Sequence, residues 1–216
     1  MFPKAKGDEN ERVVAVIDDD ESVREALRGL FQSVGLVTEI YGSVQAFLDA
    51  GRLRRAGCIV LDIRLPGRSG LEFQEALARS GVSQSVVLIS GHVDVQMAVR
   101  AMKAGAVDVL TKPVREQDLL EAVNRALAAD QKRREDAKGD EALRARYQIL
   151  SERERQVFAL VAAGLLNKQI AERVAITEAT VKLHRGQVMK KMEAESLPDL
   201  VRMADRLAKA ETGPEL

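Results

Sequence analysis

Apolar runs alternate with helical patterns along the chain up to about residue 128. Short apolar runs predict strands at 13–17, 58–61, 86–89 and 107–110, and the less apolar segment 36–40 predicts a further strand. Between the first two runs, residues 22–34 carry apolar side chains at helical spacing. Nearly continuous apolar strands that alternate with helices are typical of parallel sheets covered on both faces. We therefore predict an α/β domain over residues 10–128, built on a doubly wound, five-stranded parallel sheet.

The pattern changes after residue 128. Residues 129–147 are rich in charged side chains and contain no proline, which predicts a charged, helical linker. Residues 148–210 then read as a second, all-α domain. Four helices are predicted there, at Glu152–Ala163, Asn167–Val174, Glu178–Met192 and Pro198–Leu207. Ser151 and Thr177 stand where N-caps are expected.

Bulk composition limits the kinds of function. The formal net charge is zero, so any basic surface that binds nucleic acid must be local. The single cysteine, Cys58, excludes a disulfide within the chain. Residues 1–12 lack the apolar core of a secretory signal, and no apolar stretch approaches the roughly 20 residues of a membrane span. We expect a cytoplasmic protein that does not enter a membrane.

Polar residues follow four of the predicted strands. These residues are Asp18 to Asp20, Asp62, Ser90 and Lys112. Because the carboxyl ends of parallel strands meet at one edge of the sheet, we expect carboxylates, a hydroxyl and an ammonium around one cleft. Clustered carboxylates repel, and Mg²⁺, which prefers oxygen ligands, relieves that repulsion. One aspartate could then act as a nucleophile towards a phosphoryl group, with Lys112 and Ser90 binding its oxygens.

Each signal also has a structural explanation. The first acidic run can cap a helix, and Asp62 can belong to a turn formed with Pro66, Gly67 and Gly70. Ser90 and Lys112 can stand in ordinary loops. All four signals in order, at successive strand ends, favour a phosphoryl-transfer site.

The motifs over residues 13–128 resemble a response-regulator receiver domain. They are Val16-Ile17-Asp18-Asp19-Asp20, Leu61-Asp62 through Gly70, Ile89-Ser90-Gly91-His92, and Ala101-Met102-Lys103-Ala104-Gly105-Ala106 followed by Lys112-Pro113. The resemblance implies a flavodoxin-like fold and a cis Lys112–Pro113 bond. It also implies a phosphoacceptor (Asp62), a Mg²⁺ site (Asp18, Asp19, Asp62 and the carbonyl of Arg64) and a switch and phosphate-binding pair (Ser90 and Lys112).

One position departs from the receiver pattern. Receivers usually carry Tyr or Phe three residues before the lysine, and here that residue is Val109. Because the aromatic side chain usually couples movement of the hydroxyl residue to the surface, we expect a partial switch.

The C-terminal motifs resemble a LuxR-type helix-turn-helix domain. They include Leu150-Ser151-Glu152-Arg153-Glu154, Asn167-Lys168-Gln169-Ile170-Ala171 and Thr180-Val181-Lys182-Leu183-His184. The resemblance makes residues 178–192 the recognition helix, which enters the major groove. Lys182, Leu183 and Arg185 are the expected base contacts, and Lys168, Thr180, His184 and Lys190 the expected phosphate contacts.

The whole chain thus resembles the FixJ/NarL group of two-component response regulators. The resemblance implies a phosphorylation-dependent transcriptional regulator, which is not an enzyme beyond its own phosphotransfer and slow autodephosphorylation. Implied partners are a sensor histidine kinase, promoter DNA and a second copy of the chain, with RNA polymerase as a further candidate. A Mg²⁺-dependent phosphatase is the alternative, but its second acid would fall at Arg64, which cannot supply a proton at neutral pH. An interaction module that does not bind DNA is disfavoured by the basic segment 180–191.

Overall fold

A computed structural model describes the backbone of residues 13–211 and the side chains of residues 13–209. Residues 10–12, included in the predicted first domain, and the rest of the N-terminal segment judged to lack a signal core lie outside the described part. The described chain divides into two compact units, with the boundary between Arg133 and Arg134. That boundary falls inside the predicted linker.

The first unit is the predicted parallel sheet. Its strands are β1 (Val13–Ile17), β2 (Val37–Tyr41), β3 (Ala56–Asp62), β4 (Val86–Ser90) and β5 (Asp108–Thr111). They lie in the order β2-β1-β3-β4-β5, and every pairing is parallel. All residues of β1, β3 and β4 are buried, which agrees with their unbroken apolar sequences. The predicted fold class is confirmed.

Helices cover both faces of this sheet. They are α1 (Glu21–Ser33), α2 (Val44–Asp49), α3 (Gly70–Arg79), α4 (Val95–Lys103) and the start of α5 (Glu116–Gln148). Alternate strand residues point to opposite faces. Ala15 and Ile17 of β1 pack with α2, α3 and α4, whereas Val14 and Val16 pack with α1 and α5.

The second unit is all helical. Besides the end of α5 it contains α6 (Glu152–Ala162), α7 (Asn167–Val174), α8 (Glu178–Met192) and α9 (Leu197–Glu211). The Ser151 and Thr177 side chains cap α6 and α8 as predicted. The core includes Val157, Ile170, Val181, Val188 and Leu200.

The predicted linker is part of one unbroken helix. Residues 129–147 all lie within α5, which has 33 residues. Leu143 is buried in the second core, and the Tyr147 ring lies 5.4 Å from that of Phe158. The sequence could not predict these two contacts, because a single leucine and a single tyrosine in a charged segment show no helical periodicity.

No helix in the described part of the chain has both the length and the apolar character needed to cross a bilayer.

Candidate functional site

Strand register brings the predicted residues of the first unit to one edge of the sheet. Ile17 is paired with Leu61, so Asp18 and Asp62 leave neighbouring strands at the same level. Ser90 is paired with Thr111 at the ends of β4 and β5. The Lys112 N–H then donates to the Ser90 carbonyl over 2.8 Å.

Three carboxylates and one ammonium meet at this edge. Carboxylate oxygens of Asp18, Asp19 and Asp62 lie within 4.8 Å of one another. The Lys112 Nζ lies 2.6 Å from Asp18 Oδ2 and 2.5 Å from Asp62 Oδ2. Asp18 and Asp62 are buried, whereas Asp19 is exposed. The four side chains therefore form one cluster with an open side at Asp19.

Burial and charge act in opposite directions in this cluster. Burial raises the pKa of Asp18, although the Lys112 hydrogen bond and the Asp20 N–H lower it in part. Burial also lowers the pKa of Lys112, but its hydrogen bonds to Asp18 and Asp62 outweigh that effect and leave the pKa raised. Lys112 thus stays charged and offsets the repulsion between the two carboxylates.

The loop after β3 is fitted closely around Asp62. The Arg64 N–H donates to Asp62 Oδ1 over 2.8 Å, and the Gly70 N–H donates to the Ile63 carbonyl over 3.0 Å. A Cβ at Gly70 would overlap the Asp62 carbonyl oxygen. Helix α3 can therefore begin this close to the carboxylate cluster only with glycine at position 70.

Ser90 is fully buried and its hydroxyl is engaged by the backbone. Its Oγ donates to the His92 carbonyl over 3.1 Å. Lys112 and Ser90 are thus joined through the backbone, while their side chains contact different groups. The Lys112–Pro113 bond is cis, as the resemblance predicted.

The donor set fits a hard divalent cation. Three carboxylates supply only oxygen ligands, the kind that Mg²⁺ takes, and the exposed Asp19 leaves room for retained waters.

One contact was not anticipated: the Arg24 guanidinium donates to the Asp18 carbonyl over 2.7 Å. Arg24 lies in α1, where nothing in the sequence separates it from a solvent-facing arginine.

Polar residues of α8 fall into two groups. Several are held by neighbouring helices or caps. Arg185 Nη1 donates to Asn167 Oδ1 over 2.6 Å, Lys191 Nζ lies 2.7 Å from Glu154 Oε2, and the Thr180 hydroxyl shares a hydrogen bond with Thr177. Others are exposed and make no side-chain hydrogen bond within residues 13–209: Lys182, Gln187 and Lys190.

The predicted DNA contacts divide between these groups. Lys182, Leu183 and Lys190 lie on the exposed face of α8, and Lys168 is exposed on α7. Arg185, His184 and Thr180 are half-buried on the flanks of α8. The sequence interpretation missed Asn167 as the partner of Arg185, because two distant polar residues give no pairing signal.

Family models match both units. Residues 14–124 match the response regulator receiver domain, and residues 148–204 match the luxR family of bacterial regulatory proteins. The two matches leave residues 125–147 of α5 and the ends of the chain uncovered.

Individual proteins match over nearly the whole chain. Nodulation protein W of Bradyrhizobium diazoefficiens is 48% identical over 90% of this chain and 86% of its own length. Response regulator protein TmoT of Ectopseudomonas mendocina is 48% identical over 92% of this chain and 90% of its own. The solved structure of the response regulator StyR, at 42% identity, superposes with a TM-score of 0.79 and covers 91% of this chain and 99% of that one.

Proposed function

Because the chain belongs to the two-component response regulators that carry a LuxR-type DNA-binding domain, we propose that phosphorylation of Asp62 controls DNA binding by α8. The observation that carries the proposal is the position of Lys112 Nζ between the carboxylates of Asp18 and Asp62. An ammonium held there can neutralise charge on a phosphoryl group bound to either oxygen atom of Asp62.

The reaction proposed at Asp62 is an in-line transfer. A carboxylate oxygen of Asp62 attacks the phosphorus of a phosphohistidine on the kinase, and an O–P bond forms as the N–P bond breaks. The leaving imidazole takes up a proton. Lys112 shifts its hydrogen bond from the Asp62 carboxylate to a phosphoryl oxygen. Slow attack by water on the phosphorus later breaks this O–P bond and releases inorganic phosphate and free Asp62.

We assign the metal site to Asp18, Asp19 and Asp62, with the backbone carbonyl of Arg64 as the remaining protein ligand. Mg²⁺ bound there supplies positive charge that stabilises the transferring phosphoryl group. The chain's own contribution is to fix these oxygens: Asp20 N–H and Arg64 N–H donate to the Asp18 and Asp62 carboxylates. Those bonds leave the second oxygen of each carboxylate facing Lys112.

Ser90 and Lys112 connect the phosphoryl group to a surface. Rotation of the Ser90 hydroxyl from the His92 carbonyl to a phosphoryl oxygen pulls on the segment before α4. Helix α4 exposes 80% of Val95, 45% of Val99 and 52% of Met102. We propose that this apolar face joins two copies of the chain after phosphorylation.

A dimer presents two copies of α8 to adjacent half-sites of promoter DNA. Lys182, Leu183 and Arg185 are the proposed base contacts, and Lys168, Thr180, His184 and Lys190 the phosphate contacts. The proposed partners are a sensor histidine kinase, double-stranded DNA and RNA polymerase, and the proposed location is the cytoplasm.

The experiment incubates the full-length chain with acetyl phosphate, with and without Mg²⁺, and follows acid-labile phosphate by intact mass. Wild type should gain one phosphoryl group only with Mg²⁺, and Asp62→Asn none. Asp49→Asn is the control: Asp49 is exposed at the end of α2 and takes no part in the carboxylate cluster, so labelling should match wild type. Wild-type labelling of Asp62→Asn would overturn the assignment.

A further inference from the structure

The exposed face of α8 is made of two rows of side chains. Residues four apart lie next to each other on one side of a helix. Lys182, Gly186 and Lys190 form one row, and Leu183 and Gln187 form the row beside it. All five are exposed, whereas Val181, Val188 and Met192 on the opposite side are buried. Together with Glu178 and Ala179 in the first turn, the two rows are the part of α8 that a partner can reach.

The Gln187 amide is free to bind an external group. Within residues 13–209 no side-chain hydrogen bond engages it, whereas Arg185 and Lys191 are tied to Asn167 and Glu154. A primary amide offers a donor and an acceptor in one plane. Adenine presents the complementary pair, the N6 donor and the N7 acceptor, in the major groove.

Gly186 lies beside Gln187 and has no role in packing. A Cβ built at Gly186 meets nothing within 4 Å outside the local helix backbone. Glycine inside a helix is less stable than alanine by about 0.5–1 kcal/mol. A destabilising residue that the unit does not need points to a partner surface that approaches the helix closely.

We propose that Gln187 is a specificity-determining residue that reads an adenine edge in the major groove, with Gly186 allowing the helix to come close enough. The inference rests on the proposed entry of α8 into the groove. Leu183, one turn before Gln187 and 63% exposed, is placed to meet a thymine methyl group on the same stretch of DNA. The two side chains therefore select A·T pairs.

The experiment selects duplexes from a randomised library with the full-length chain activated by beryllofluoride. Wild type and Gln187→Ala are selected in parallel. Gln187→Ala should lose preference for adenine at one position per half-site and keep the others, because a bidentate base contact gives about 5- to 150-fold discrimination. Lys190→Ala, on the same face, is the comparison and should weaken all sequences alike.

An atomic test uses the selected duplex with 7-deazaadenine at that position, which removes only the N7 acceptor. Wild-type affinity should fall by about 10-fold, and the affinity of Gln187→Ala should not change. Gly186→Ala should raise the melting temperature of the C-terminal unit by about 2–8 °C and weaken binding. Gly29→Ala, at an exposed, unpacked glycine inside α1, is the control and should leave DNA affinity unchanged.

The outcomes separate the inference from the proposed function. Unchanged base preference in Gln187→Ala, or equal 7-deazaadenine sensitivity in both proteins, overturns the role of Gln187 and leaves DNA binding intact. Failure of the activated wild type to select any duplex overturns the proposed function and the inference together.

Discussion

The Arg185 guanidinium donates a 2.6 Å hydrogen bond to the side-chain oxygen of Asn167, and so joins α8, the proposed recognition helix, to the start of α7. Both residues are half-buried. Its place in the sequence predicted that Arg185 contacts DNA bases. The hydrogen bond to Asn167 shows that Arg185 also makes a structural contact within the unit. It holds the two helices of the helix-turn-helix at a fixed spacing.

Asn167→Ala should therefore destabilise the C-terminal unit by about 1–2 kcal/mol, because a hydrogen bond to a charged group is lost at a partly buried site. Urea unfolding can be followed through Tyr147 fluorescence in a Tyr41→Phe background, since the chain has two tyrosines and no tryptophan. Lys168→Ala is the control: Lys168 is exposed and should leave the urea midpoint in place. Equal midpoints for Asn167→Ala and wild type would show that the bond does not stabilise the unit.

Gly70→Ala should damage the carboxylate cluster. The new methyl group would overlap the Asp62 carbonyl, so the start of α3 or the end of β3 must move. We expect a loss of stability of about 1–3 kcal/mol and much slower labelling by acetyl phosphate. Gly91→Ala is the matched variant, because Gly91 borders Ser90 and a Cβ there meets nothing within 4 Å. If both variants label at the same rate, close packing at Gly70 is not required.

Acid should loosen the C-terminal unit through Glu154. The hydrogen bond from Lys191 holds the pKa of Glu154 below its ordinary value of 4.5. A carboxyl group whose pKa is lowered by folding stabilises the protein above its unfolded pKa, and this stabilisation is lost as the pH falls through the folded pKa. The urea midpoint reported by Tyr147 should therefore drop below about pH 4.5.

Glu154→Gln should flatten part of that pH dependence, because the amide cannot titrate. Glu152→Gln, an exposed residue in the same helical turn, should keep the wild-type slope. Identical slopes in all three proteins would assign the acid sensitivity to other carboxylates.

Val109 should limit the phosphorylation switch. Val109 is half-buried and packs against the core of the sheet, at the position where receivers usually carry an aromatic residue. Moving the equilibrium between the inactive and active states from 1:99 to 99:1 takes about 5.5 kcal/mol. Since valine couples Ser90 to the surface less strongly than an aromatic side chain, some dimer should form without phosphorylation. Analytical ultracentrifugation with and without beryllofluoride should show a larger change in mass for Val109→Tyr than for wild type. A complete switch in wild type would make the missing aromatic irrelevant, and a monomer under every condition would reject the dimer.

Much of the fold follows from local sequence. Strands β1, β3 and β4 are short, apolar and bounded by polar residues, so their positions can be read from the sequence. Strands β2 and β5 contain polar residues and give a weaker signal. Helices α7 and α8 begin and end at the predicted residues, and Thr177 caps α8 as expected. The convergence of Asp18, Asp62 and Lys112 also follows, because parallel strands bring their carboxyl ends to one edge.

Contacts between distant side chains could not be predicted. The pairing of Asn167 with Arg185 depends on how α7 and α8 cross, and the burial of Leu143 depends on how the end of α5 packs in the second unit. The hydrogen bond from the Ser90 hydroxyl to the His92 carbonyl likewise depends on how the folded chain arranges the groups around Ser90. The sequence supplies residue types for these contacts but not their geometry.

The unbroken course of α5 determines where recombination can join the two units of such proteins to units from other genes. Recombination between genes is expected to be harmless where few contacts cross the exchange point. The luxR-family match begins at residue 148, yet Leu143 and Tyr147 belong to the core of the helical unit. A chimaera joined at 148 would give Phe158 a foreign neighbour in place of Tyr147. The part of this chain that must be exchanged as a whole is therefore the second compact unit, which starts near residue 134, inside a helix and not in a loop.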